Sequence, residues 1–270
     1  MKLDLNYLLE LSIKAVCEAS EEILKIYNNA NFDVEKKQDG TPITLADKNA
    51  NKVIENILSK TNIPILSEEG KDIMYEERKS WDYFWLVDPL DGTKEFVKKN
   101  GEFTVNIALI KNGQPLLGVI LVPVTSVLYF SSVNLGSFKS NDLDFQNFKI
   151  SDLVNLSKKL PLIEERECYT VVSSRSHVTH ETELFFKEQR KKFGDIKIIP
   201  IGSSLKICLV AEGTADAYPR YGPTMEWDIA AGHAIAKYAG KKVTTIIDSE
   251  LKDPLSYNKK KLINPWFIVQ

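Results

Sequence analysis

The chain has 270 residues, 43% apolar and 27% charged, with 35 basic and 37 acidic side chains. That is an ordinary globular composition, with enough chain for one large domain or two intimate subdomains. The net charge of −2 excludes a global basic field, so no nucleic-acid polymer is expected as a partner, and the local run at 258–265 reads as solvated surface.

Leu5, Leu8, Leu9, Val16, Ala19, Ile23 and Ile26 share one helical face, which predicts an amphipathic helix over residues 4–27. Asp4, Glu10, Lys14, Glu18, Glu21 and Glu22 interrupt its apolar residues. The segment is therefore expected to be neither a signal-peptide core nor a membrane span. After the polar stretch 36–44, a second helix is expected from about 45 to 60. Ala46, Ala50, Val53, Ile54 and Ile57 face inward, Thr44 is the N-cap, and Asp47 lies in the first turn. Residues 63–70 read as a short buried strand ending in Glu68 and Glu69, and 83–88 as another ending in Asp88. Two strands over 104–123 flank Asn112-Gly113, a strong hairpin signal, and 126–133 continues the sheet.

Further strands are expected at 169–174, 196–201 and 264–269. Helices are expected at 180–193, 204–213 and 227–240, the last two closed by Gly213 and Gly240. The polar stretch 134–165 suggests a division into an N-terminal unit, 1–140, and a C-terminal unit, 141–270, that share a cleft. Cys17, Cys168 and Cys208 are widely spaced, odd in number and without a C-x-x-C pair. They read as free thiols of a reducing, cytoplasmic compartment. Three histidines are too few and scattered for a histidine-based zinc site.

From Trp85 to Phe96 the chain reads WLVDPLDGTKEF. Asp88 and Asp91 leave an apolar strand three residues apart. Carboxylates this close repel unless a proton or a cation lies between them. Glu68, Glu69, Asp47 and Asp228 also sit at strand ends or helix starts, where ligands bind in α/β architectures. Oxygen-only acids without imidazole or thiolate suit a hard cation such as Mg²⁺. Taken singly, Asp47 and Asp228 also read as helix caps and Glu68-Glu69 as a solvated loop; for Asp88 and Asp91 the apolar flanks favour a site. The Asp-x-Asp-Gly-Thr pattern of aspartyl-nucleophile phosphatases is not met, because Pro89 stands where the nucleophile would be.

With DPLDGT at 88–93 and EWDIAAG at 226–232, about 140 residues apart, the chain resembles a superfamily of lithium-sensitive, Mg²⁺-dependent phosphomonoesterases. That superfamily includes inositol monophosphatases, fructose 1,6-bisphosphatases and 3′(2′),5′-bisphosphate nucleotidases. PILSEEG, GSSLKICLVAEGTADAYPRYGPTM and LINPWFIV extend the similarity over nearly the whole chain, toward the bacterial (CysQ-type) nucleotidases. The resemblance implies an α/β (α+β) sugar-phosphatase fold with αβαβα layers. It also implies hydrolysis of 3′-phosphoadenosine 5′-phosphate to AMP and phosphate, in support of sulfur assimilation and nucleotide recycling. An inositol or sugar monophosphatase on the same fold is the alternative. A nucleotide-binding protein without turnover is a third reading, against which the complete acid set argues.

The resemblance further implies two or three Mg²⁺ per site. One is held by Glu68, Asp88 and the Leu90 carbonyl, a second by Asp88, Asp91 and Asp228, and a weaker third by Glu68 and water. Thr93 and Asp47 orient the attacking water, with Glu69 assisting. Gly92 and Thr93 open a helix whose amides suit a phosphate oxygen. Ser203, Lys206 and Arg220 hold the second phosphate, and His177 lies near the adenosine. Singly, Lys206 also reads as an exposed helix lysine and His177 as a loop residue, while the role of Arg175 is open. The expected assembly is a monomer or homodimer, cytoplasmic, with peripheral attachment at the inner face of the membrane left open.

Overall fold

Asp4 starts the first helix, its carboxylate accepting from the amides of Asn6 and Tyr7 at 3.1 Å each and so satisfying two of the donors a helix start leaves unpaired. The computed structural model describes residues 3–29, 34–36, 42–141, 148–162, 166–175, 178–248 and 250–270. Helix α1 (Leu5–Tyr27) is followed by a short antiparallel pair, β1 (Val34–Lys36) and β2 (Pro42–Thr44), and by α2 (Leu45–Leu58). Thr44 caps α2 as expected, accepting from the Ala46 amide at 3.1 Å.

Next come β3 (Ile65–Ser67), α3 (Tyr75–Arg78), β4 (Tyr83–Asp91), α4 (Thr93–Val97), β5 (Thr104–Lys111), β6 (Gln114–Val122), β7 (Val127–Ser132), β8 (Gly136–Ser140), α5 (Ile150–Leu156) and β9 (Lys158–Lys159). Strands β3 to β9 form one seven-stranded sheet in chain order, parallel between β3 and β4 and antiparallel elsewhere. The stretch 134–165, polar in sequence, thus contributes the last two strands of the sheet, β8 and the edge strand β9, and a helix. Asn112 and Gly113 both have positive φ, 48° and 71°, as the tight turn of the β5–β6 hairpin requires.

The remaining elements are β10 (Tyr169–Ser174), α6 (His180–Phe193), β11 (Ile196–Ile201), α7 (Leu205–Glu212), β12 (Tyr218–Arg220), α8 (Glu226–Tyr238), β13 (Val243–Ile247), β14 (Glu250–Pro254) and β15 (Phe267–Val269). Strands β12-β15-β13-β14 form an antiparallel sheet; β10 and β11 form a parallel pair joined to it by a Val171–Ala217 bridge. The final strand is shorter than expected because Asn264 is used differently. Its side chain donates to the Met225 carbonyl at 2.7 Å and its amide to the Thr224 carbonyl at 2.8 Å, latching this loop to the start of α8.

Alternation along β4 and β5 sorts the core into layers. Trp85, Val87, Val105 and Ile107 pack against α1 and α2. Phe84, Leu86, Ala108 and Ile110 face the other way, into a cluster with Ile207 and Val210 of α7, Ile229 and Ala230 of α8, and Phe267 of β15. Phe185 and Phe186 of α6 cover the far face of the second sheet with Val171 and Ile268. The order is helix, sheet, helix, sheet, helix, the expected αβαβα arrangement. Among the described residues no helix is long and apolar enough to cross a membrane, and the three cysteines are unpaired.

The α8 layer lies very close to the large sheet. A Cβ built on Gly118 of β6 would stand 2.4 Å from the Ala231 carbonyl oxygen and 2.7 Å from the Ala234 Cβ. Glycine is what lets the AAGHA stretch of α8 seat there. Gly118→Ala is expected to lower unfolding free energy by about 1–3 kcal/mol through overpacking and to displace α8. Urea denaturation with a two-state fit checks this; an unchanged midpoint would show that the contact relaxes freely.

Candidate active site

The geometry begins with an irregularity in β4. Asp88 pairs with Asn106 of β5 and Asp91 with Thr104, so three residue steps on β4 match two on β5. In a regular strand, positions three apart point to opposite faces. The extra residue makes a bulge, which brings Asp91 to the face already occupied by Phe84, Leu86 and Asp88, while Leu90 packs with the α1–α2 core. Pro89, which has no amide to donate to a ladder, falls inside the bulge.

Three other elements bring acids to this point. The Glu68 amide donates to the Val87 carbonyl at 3.1 Å, extending the β3–β4 pairing so that Glu68 arrives beside Asp88. Asp228 is the third residue of α8, and its Oδ2 accepts from the Met225 amide at 2.9 Å. Asp47 holds the equivalent place in α2, its Oδ2 accepting from the amide and hydroxyl of Thr44 at 2.8 and 2.6 Å. Both aspartates are therefore helix-capping groups and site residues at once, one oxygen committed to the backbone. One carboxylate oxygen each from Glu68, Asp88 and Asp228 lie within 4.8 Å of one another.

Thr93 is the first residue inside α4, whose N-cap is Gly92. Its hydroxyl faces the Asp47 Oδ1 at 3.3 Å and the Leu90 carbonyl at 3.4 Å and caps no helix. Gly92 has φ +93°, and a Cβ there would press the Glu102 carbonyl at 3.1 Å; this is a position for glycine. The Leu90 amide donates to Asp88 Oδ1 at 3.1 Å. The Glu69 carbonyl accepts from Asn51 Nδ2 at 3.4 Å.

Crowding shows in the electrostatics. Burial, then the charges of Glu68, Asp91 and Asp228, push the Asp88 carboxyl well above the usual carboxylate range. Burial, Asp91 and Glu68 do the same to Asp228. Asp91 is pushed up to about 6, chiefly by burial, with the Lys206 ammonium and the Ser204 amide pulling it back. Asp47 is raised too, by burial first and Glu68 last. The donor set is carboxylate and carbonyl oxygen only, which fits a hard divalent cation.

A cavity of about 170 Å³ opens from the acids toward α7. Asp91, Asp228, Ser203, Lys206 and Arg220 all line it. Lys206 is buried, not an exposed helix lysine. Its ammonium donates to the Ser203 carbonyl at 2.5 Å and lies 5.6 Å from the Tyr218 ring centre. Burial lowers its pKa to about 8, Arg220 lowering it further and Asp91 opposing. Ser203 adopts a left-handed φ of 48°, strain of the kind that accumulates at sites. Arg175 is committed elsewhere, to both oxygens of Glu102 at 3.0 and 2.5 Å. His177 lies outside the described residues.

Residues that the sequence reading missed complete the walls. Ser204 joins α7 to β5 through Thr104 (2.8 Å) and Asn106 (2.9 Å), holding the opposite strand of the bulge. Glu95 of α4 also lines the cavity; its only signal in sequence was its place one turn beyond Asp91 in TKEF.

A profile of the inositol monophosphatase family matches residues 4–265. The chain belongs to this family. The resemblance carried by DPLDGT and EWDIAAG is thus borne out. Among inositol monophosphatase family members, the 3′(2′),5′-bisphosphate nucleotidase CysQ of Buchnera aphidicola is 46% identical over 248 residues, 91% of this chain and 86% of that one. Its counterpart in Escherichia coli strain K12 is 42% identical over 255 residues, 93% and 94% of the two chains. The crystal structure of CysQ from Bacteroides thetaiotaomicron, 47% identical, superposes with a TM-score of 0.91 over 100% of this chain and 98% of that one. A Thermotoga maritima inositol monophosphatase, 24% identical, shares the fold at a TM-score of 0.71 over 97% of this chain and 91% of its own.

The raised carboxyls give a signed prediction. Each binds its proton more tightly folded than unfolded, so the metal-free protein loses stability as pH rises from about 4 through the folded pKa values, about 6 for Asp91. A divalent cation replaces those protons. The rise in Tm on adding Mg²⁺ to chelator-treated protein is therefore expected to be larger at pH 7.5 than at pH 5.5. Equal increments at both pH values would place the cation away from these acids.

Proposed function

We propose that this protein is a Mg²⁺-dependent 3′(2′),5′-bisphosphate nucleotidase that converts 3′-phosphoadenosine 5′-phosphate to AMP and phosphate, a clearance step in sulfur assimilation and nucleotide recycling. The observation that carries the reading is one cavity lined by crowded acids and by a buried lysine and an arginine. The acids call for a cation, and Lys206 and Arg220 exceed what an uncharged substrate arm would need. A substrate with two phosphates suits both sets, one phosphate at the acids and one at Lys206, Arg220 and Ser203. The CysQ relatives carry the same activity in their names.

Glu68, Asp88, the Leu90 carbonyl, Asp91 and Asp228 would hold the metals. When bound, Mg²⁺ supplies charge that lowers the pKa of attacking water and stabilises the leaving oxygen. Thr93 and Asp47 act on the water: the hydroxyl accepts or donates at fixed distance, and the Asp47 carboxylate, pinned by Thr44, is the proton's destination. Glu69 supports this end. Gly92 lets its backbone approach a phosphate oxygen. No covalent intermediate is needed, since Pro89 occupies the nucleophile's place.

The direct test is phosphate release from 3′-phosphoadenosine 5′-phosphate and from inositol 1-phosphate, with and without Mg²⁺. The bisphosphate is expected to have the higher kcat/KM, and only with Mg²⁺. A higher value for inositol 1-phosphate would identify an inositol monophosphatase instead.

Two variants test the parts. Thr93→Ala is expected to lower kcat far more than KM, because a water-orienting contact is felt mainly in the transition state; a preserved kcat would remove Thr93 from the mechanism. Lys206→Ala deletes a charge-assisted contact of about 1.5–3 kcal/mol. A roughly ten- to hundredfold fall in kcat/KM is expected for the bisphosphate, with little change for inositol 1-phosphate. Equal losses on both would make Lys206 part of the acid end.

A further inference from the structure

Glu95 is the one acid of the cavity wall that the mechanism above does not use. It lies in α4, one turn beyond Asp91, with 9% of its surface exposed. It makes no side-chain hydrogen bond or ion pair among the described residues, yet it lines the same cavity as Asp91, Ser203 and Lys206. Its stem is seated by design of the opposite wall: a Cβ on Gly202 would stand 2.7 Å from the Glu95 Cγ. Gly202 in turn is fixed, its amide donating to Glu102 Oε2 at 2.8 Å.

A carboxylate in a pocket for phosphates is costly, because it repels the ligand's own charge. Its carboxylate oxygens have no hydrogen-bond partner among the described residues, so their donors must come from water or from a ligand. The repulsion is offset if the ligand brings such a donor. Of the donors a nucleotide carries, sugar hydroxyls lie nearest its phosphates. Glu95 is near enough to act on the charges of both Asp91 and Lys206, so a sugar ring joining a phosphate at the acids to one at Lys206 would lie within its reach.

We propose that Glu95 accepts a hydrogen bond from the hydroxyl vicinal to the scissile phosphate, the ribose 2′-hydroxyl of a 3′-phosphate, and so selects ribonucleotide over deoxyribonucleotide bisphosphates. This rests on the nucleotidase reading. A merely structural role, balancing the charge of Lys206 or of Arg175, makes a different prediction: losing it affects both sugars alike.

The experiment compares kcat/KM for adenosine 3′,5′-bisphosphate and 2′-deoxyadenosine 3′,5′-bisphosphate in wild type, Glu95→Gln and Glu95→Ala, in Mg²⁺. Wild type is expected to favour the ribonucleotide about ten- to hundredfold, as for a hydrogen bond to a charged group. In Glu95→Ala the ratio should fall to within about twofold of one, with Glu95→Gln between. Equal rates for the two substrates in wild type, or a preference undiminished in Glu95→Ala, would overturn the inference and leave the nucleotidase reading standing. Hydrolysis of neither nucleotide, with inositol 1-phosphate turned over, would overturn both.

Discussion

Buried carboxylates that share a face repel, and the architecture around β4 is arranged to hold them together in spite of it. Asp88 and Asp91 reach one face only because the strand bulges between them. Glu68 is delivered by a parallel neighbour, and Asp228 and Asp47 by the first turns of two helices on opposite sides of the sheet. Asp47, Asp88 and Asp228 are anchored by backbone amides or hydroxyls that fix their direction without neutralising them. Asp88 and Asp228 therefore carry protons more readily than exposed acids do, or they carry a cation. Two α layers and the large sheet must all be in register for this, which is why the close seat of α8 on Gly118 bears on the chemistry as well as on stability.

Buried positive charge lines the same cavity. Lys206 is buried near Arg220 and loses part of its affinity for a proton. Its nearest hydrogen-bond partner is a neutral carbonyl. Under the proposed reading, a metal-bound, doubly phosphorylated ligand would relieve the crowding of the acids and add its second phosphate to the anions that already face Lys206. Glu95 lines the same cavity as Lys206, and the proposal that it selects for a ligand hydroxyl rests on that placement.

Much of this was legible in sequence, for identifiable reasons. The helices α1, α2, α6 and α8 and the β5–β6 hairpin announce themselves by period and by Asn112-Gly113. The acids stood out because apolar residues flank them. The bulge was not legible: it is a relation between β4 and β5, and local periodicity sees one strand at a time. The strand was accordingly read as ending at Asp88, where Pro89 removes a donor. Asp47 and Asp228 read as either caps or ligands because the two roles use different oxygens of one side chain. Burial of Lys206 depends on Tyr218 and β12 folding over α7, contacts that no helical period contains. The β13–β14 hairpin is not legible in sequence because β14, ELKDP, is exposed throughout and carries three charges and a proline with no apolar alternation.

Removing one charge tests whether repulsion among these acids is what the cation relieves. The measurement is the Tm of Asp88→Asn and of wild type, at neutral pH, in chelator and in saturating Mg²⁺. If the carboxylates repel as described, the variant melts at or above wild type in chelator and gains much less from Mg²⁺. If it melts well below wild type in chelator and gains as much from Mg²⁺, Asp88 is held by contacts unrelated to a cation, and the account of the site is wrong.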